Sequence, residues 1–270
     1  MARVRPDGVT VAACLGNRLG LRVAHVLRES VARGDVEIVD LVRNESPAPG
    51  TEYDEDLRYA VRAPRTFAAA MAEPVAADVC VAAGCRHVLP PAFLRRFRLG
   101  VWNLHPSFLP RGRGSYPNVW AILERGPAGA TLHRIRPDDG DLVSVVDAGP
   151  IVVQRRVPVR AWDTGRSLYD RCEDAAVELF TAWWGARGYL STEGEEEQDP
   201  AAATFHRRAA VDEVDEIDLG RRYLARDLLD LLRARTFKRD DGTAYPSAWF
   251  RDTATGARVD VRVEMEVRDG

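Results

Sequence analysis

At 270 residues, 46% of them hydrophobic, the chain is long enough for one large domain and a small appendage with an ample core. It holds no apolar run of membrane-spanning length and no basic segment followed by an apolar one at its start, so neither a membrane partner nor a signal peptide is expected, and a cytoplasmic location follows. The net charge of -3 argues against a nucleic-acid partner, and the four cysteines, Cys14, Cys80, Cys85 and Cys172, lack metal spacing and read as buried, reduced thiols.

In chain order, Val9–Leu15 is an apolar run of the kind a central parallel strand needs, and Gly16-Asn17-Arg18-Leu19-Gly20 turns it into a helix over Leu21–Arg33. These glycines do not spell the dinucleotide fingerprint, which disfavours a nicotinamide-linked oxidoreductase. Val36–Val42 is the second strand, and residues 44–64, Pro-rich and acidic, form a long surface loop. A helix over Arg65–Ala72 and a buried strand over Ala77–Ala83 follow. Gly84 to Pro91 then turns at the sheet edge, and Ala92–Arg98 makes a short helix.

Residues 101–122 organise the chain. Val101 to Leu104 end a buried strand, Pro106, Pro110, Gly112 and Gly114 forbid regular structure after it, and Val119 to Ile122 resume a helix. Ligands of open α/β sheets bind outside the carboxyl ends of the strands, which puts Asn103 and His105 at the mouth of a cleft. At i and i+2 on a strand they share a face, where an amide can hold a developing oxyanion and an imidazole can move a proton. The bland alternative is a strand end whose amide and imidazole merely tie down the loop. Ala128–Ile135 and Ile151–Val159 are two further strands, with Asp147 in the Asp147-Ala148-Gly149-Pro150 turn before the second.

Asp163 or Thr164 then caps a helix whose apolar positions are Leu168, Cys172, Ala175, Leu179 and Trp183. Residues 191–203 read as a linker with a solvated acidic run at Glu195 to Glu197. A helix over 221–235, with an apolar stripe at Leu224, Leu228 and Leu231 or Leu232, and strands over Ala248–Arg251 and Arg258–Val267 complete the chain. The domain reading is 1–190 catalytic, 191–203 linker and 204–270 a C-terminal subdomain of helix plus strands, whose stripe is a candidate homodimer interface.

The run Asn103-x-His105-x-Ser107-x-Leu109-Pro110, followed by Arg113-Gly114 and later by Asp147-x-Gly149-Pro150-Ile151, resembles the formyltransferase family that uses 10-formyltetrahydrofolate. The resemblance implies an α/β fold, a Rossmann-like formyltransferase domain with a mostly parallel twisted sheet, joined to a small α+β C-terminal region. It implies Asn103, His105 and Asp147 as the catalytic set, with His87, Val88, Leu89 and Asp141 binding the folate donor and Arg113 and Tyr116 binding the second substrate; the five histidines lack ligand spacing, so no metal is expected. The family's spacing from the position of His133 to the aspartate is about half the length found here, so Asp138 or Asp139 is a rival for the carboxylate. Asn17 to Gly20, Trp162-Asp163-Thr164 and Ala234-Arg235-Thr236-Phe237 resemble the sugar-nucleotide N-formyltransferase branch, whose substrates are amino-deoxysugars, commonly dTDP-linked. Formylation of another small amine in natural-product biosynthesis, or a non-catalytic folate- or nucleotide-binding role, stays open at this stage.

Overall fold

The computed structural model describes residues 8–43, 65–137, 146–238, 242 and 245–268. Strands β1 (Val9–Leu15), β2 (Val36–Arg43), β3 (Arg65–Thr66), β4 (Val79–Ala83) and β5 (Val101–His105) pair in parallel, in the spatial order β3-β2-β1-β4-β5. The two-residue β6 (Arg113–Gly114) lies outside this sheet, which β7 (Ala128–Ile135), antiparallel to β5, and β8 (Ile151–Val157) extend to seven strands. This is the mostly parallel α/β sheet expected. Every residue of β4, and every residue of β1 except Thr10, is buried, as strands covered on both faces require.

Helix α1 (Asn17–Ala32) starts earlier than its apolar periodicity predicts. Asn17 adopts φ 53°, and its side-chain oxygen accepts the backbone N–H of Leu19 at 3.0 Å and of Gly20 at 3.4 Å, so the expected turn is the helix's first turn. Arg65 and Thr66 form an edge strand and not a helical turn, and the Thr66 hydroxyl caps α2 (Phe67–Ala72) by accepting the Ala69 N–H at 3.2 Å. Helix α3 (Pro91–Leu94) is likewise shorter than expected. Asp78 ties β1 to the start of β4: Thr10 N–H and its hydroxyl reach one carboxylate oxygen at 3.0 and 2.8 Å, and Arg98 reaches the other at 2.9 Å.

The chain divides into two compact units, one comprising residues 1–105, 130–155 and 175–198, the other 106–129, 156–174 and 199–270. The second holds α4 (Pro117–Leu123), the start of α5 (Gly165–Gly185), the pair formed by β6 and β9 (Phe205–His206), α6 (Ala225–Ala234), and the antiparallel β10 (Trp249–Arg251) and β11 (Arg258–Asp260). Thr164 caps α5, its hydroxyl accepting the Ser167 N–H at 3.2 Å. Ile217, Leu231 and Ala248 centre a small core, with Leu228 and Leu232 packed against it. Leu224, expected on that stripe, precedes α6 and is 74% exposed. No described helix is long and apolar enough to cross a membrane.

Candidate active site

Strand register builds the site's floor. In the antiparallel pairing of β5 and β7, Asn103 stands opposite His133 and His105 opposite Thr131, and directly opposed residues share a face. Four polar side chains are thereby grouped on one face at the end of β5, while Trp102 and Leu104, alternating with Asn103 and His105, are buried on the other. Thr131 accepts a hydrogen bond from Gln154 Nε2 across to β8 at 2.9 Å.

Asp147 is delivered to this floor by the turn entering β8. Its carboxylate accepts from Asn103 Nδ2 at 3.2 Å through Oδ1, while Oδ2 lies 3.7 Å from His105 Nε2. The residue takes φ 52°, a left-handed conformation that non-glycine residues rarely adopt. Two residues on, Gly149 presses against the carbonyl of Arg134, where a Cβ would collide with it. Gln198 fastens the same turn, donating to the carbonyl of Asp147 at 2.8 Å and of Gly149 at 2.7 Å.

Asn103 Nδ2 also stands 2.9 Å from His133 Nε2. A carboxylate can only accept, so the amide turns its NH2 toward Asp147, and His133 Nε2 becomes an acceptor with the ring proton on Nδ1. That Nδ1 is buried and has no partner among the described residues. His105 is 7% exposed and His133 1%, so the cluster combines an amide donor, two imidazoles and one carboxylate with little solvent to screen them. It can hold negative charge developing on an oxygen, carry a proton, and orient the carrier.

The structure thus brings Asn103, His105 and Asp147 together. Of the predicted donor-binding residues, His87 stacks on Phe67 with ring centroids 4.2 Å apart, Val88 is 53% exposed and Leu89 is buried, all on the loop after β4, the strand paired with β5. Asp141, and the rivals Asp138 and Asp139, lie outside the described residues. Arg113 and Tyr116 belong to the second compact unit: Arg113 is buried, and Tyr116, at φ 56°, packs its ring under the guanidinium of Arg235. Sequence reading overlooked His133 and Gln198. The Thr-x-His of β7, an alternating pair placed to face Asn-x-His, was the signal for the first. Nothing local marks the second. Among the described residues no group of three or more His, Cys, Asp or Glu could hold a metal.

The model of the family described as "Formyl transferase" matches residues 29–183, more than half of the chain. The chain belongs to the formyl transferase family. The C-terminal part of this formyltransferase matches a second model, "N-formyltransferase dimerization C-terminal domain", over residues 210–267. A curated relative, dTDP-4-amino-4,6-dideoxyglucose formyltransferase of Mycobacterium tuberculosis, is 31% identical over 190 residues, covering 70% of this chain and 74% of the relative. A 4-N formyltransferase from Francisella tularensis superposes with a TM-score of 0.77 at 20% identity, over 96% of this chain and 99% of that one. An N-formyltransferase from Helicobacter canadensis, in complex with folinic acid and dTDP-3-aminofucose, gives 0.60 at 16% identity, over 85% of this chain and 81% of that one. At those identities the two structures establish a shared fold for the formyltransferase.

Proposed function

We propose that this formyltransferase moves a formyl group from 10-formyltetrahydrofolate to the primary amine of a nucleotide-linked amino-deoxysugar, with Asn103, His105 and Asp147 as its catalytic residues. The observation that carries the reading is the meeting of two side chains from the end of β5 with a carboxylate from the turn entering β8, at the carboxyl end of the sheet, the place where ligands of such sheets bind. The choice of acceptor rests on the dTDP-amino sugar that the curated relative acts on, with residues 204–270 as the C-terminal subdomain and 191–203 joining it to a catalytic domain over 1–190.

The donor supplies an activated one-carbon unit. An aromatic ring system of that kind needs an apolar wall and backbone edges, and the exposed Val88 with its neighbours His87 and Leu89 offers both, beside the strand that carries Asn103. The amine must attack as a free base. On donor binding, one N–H of Asn103 Nδ2 exchanges its protein acceptor for the formyl oxygen and stabilises the charge developing there. His105 takes the proton that the amine nitrogen sheds as the new N–C bond forms and delivers it to N10 of the folate as the C–N10 bond breaks and tetrahydrofolate leaves, while Asp147 holds the imidazole in place. Holding the two substrates in line contributes further acceleration. The site needs no metal for these steps.

A homodimer is the state proposed for the enzyme, because its C-terminal part matches a dimerization domain. Free cysteines fit a reducing compartment, the cytoplasm.

The test is a mass-spectrometric assay of the purified protein with 10-formyltetrahydrofolate and dTDP-4-amino-4,6-dideoxyglucose, dTDP-3-amino and UDP-4-amino sugars, and simple amines. The expected product is an amino sugar nucleotide heavier by one formyl group. Formylation of a simple amine alone would move the substrate class, and no formylation with folate binding intact would make the protein a binder.

A further inference from the structure

We propose that Gln198 is a positioning residue for Asp147 and the anchor of a strap, Glu195 to Gln198, that sets where the carboxylate stands. The inference rests on the reading of Asp147 as catalytic. Asp147 sits on a turn, not on the sheet, in a left-handed conformation that aspartate adopts more readily than most residues, and contacts from outside the turn fix where that turn lies.

Gln198 supplies such contacts. Its Nε2 meets two carbonyls of the turn, those of Asp147 and Gly149, at 2.8 and 2.7 Å. Two converging carbonyls ask for an uncharged group with two N–H bonds on one nitrogen, which a primary amide is. The strap is itself pinned to the sheet. Glu196 and Ile151 exchange both backbone hydrogen bonds at 2.8 Å, and the carboxylate of Glu195, 8% exposed, meets the guanidinium of Arg134 at 2.5 Å. Arg134 N–H in turn donates to the carbonyl of Pro150 at 3.0 Å. The turn is therefore gripped by β7 on one side and by the strap on the other. The acidic run that composition assigns to solvent divides: Glu195 serves the grip, while the side chain of Glu197 remains 67% exposed in its pair with Arg136.

Gln198→Leu keeps the volume and removes both donors. The expected result is a fall in kcat of about ten- to a hundredfold with KM for both substrates within about twofold, because a displaced catalytic group costs rate and not ground-state binding. A double-mutant cycle decides whether the effect passes through Asp147. In an Asp147→Ala background, Gln198→Leu is expected to cost nothing further, whereas a merely structural loss would multiply. Should the leucine variant fail to fold by circular dichroism, Gln198→Glu, which turns an acceptor toward the two carbonyls, carries the same comparison. Wild-type kcat in the Gln198 variant, or multiplying losses in the cycle, would overturn the strap alone. Full activity of Asp147→Ala by itself would remove the catalytic reading and the strap with it.

Discussion

The side-chain amide of Asn103 lies 2.9 Å from Nε2 of His133, on the residue directly across the β5–β7 ladder, and both of its N–H bonds face protein groups, since Asp147 takes the second at 3.2 Å. The amide is thereby held in one orientation before any ligand arrives, and one of these two bonds is given up when Nδ2 turns an N–H to the developing charge. Asn103→Ala is expected to lower kcat by about a hundred- to a thousandfold. Steady-state rates of formyl transfer check this, and a loss confined to KM would count against the oxyanion role.

The carboxylate has rivals in the sequence, and activity separates them. Asp147→Ala is expected to reduce kcat strongly, as is His105→Ala, while Asp138→Ala and Asp139→Ala keep near wild-type rates. If Asp147→Ala is fully active and either of the others is not, the carboxylate belongs to the longer segment before the turn.

Gly149 leaves no room for a side chain against the Arg134 carbonyl. Gly149→Ala must therefore shift the turn, at a cost of about 1–3 kcal/mol for overpacking. Thermal unfolding is expected to show that loss, and the folded fraction is expected to have a lower kcat as Asp147 moves with the turn.

Asp78 gives the protein an acid-sensitive joint. Burial works to raise its carboxyl pKa, but the Thr10 N–H, Arg98 and the Thr10 hydroxyl outweigh burial and hold it below its ordinary value. A depressed folded pKa contributes stability above the unfolded value of about 3.9, lost as pH falls through the folded one. Asp78→Asn is expected to cost about 1–3 kcal/mol at neutral pH, with the gap to wild type closing below about pH 4. Denaturant unfolding across that range reads it directly.

Burial pushes the thiols of Cys85 and Cys172 up to about 12. At pH 8 only about one in ten thousand of either is thiolate, and thiolate is the reactive form. Iodoacetamide is expected to leave both unmodified in the native protein and to label them after unfolding; rapid native labelling of Cys172 would contradict its burial.

The sequence by itself determined the strands, because two-sided burial leaves an apolar run that no other element explains, as in Val9–Leu15 and Val79–Ala83. It also determined Asn103 and His105 as partners, since two residues apart on a strand end they must share a face. The ends of elements were less legible: Asn17 and Thr66 cap helices through contacts that hydrophobic periodicity does not record. Only the tertiary structure showed that Asp147 approaches His105, that His133 joins the cluster through the antiparallel register, and that Gln198 fastens the turn. These are pairings between residues dozens of positions apart. Their geometry is set by sheet register and by the path of the returning chain, and neither leaves a local mark in composition or spacing.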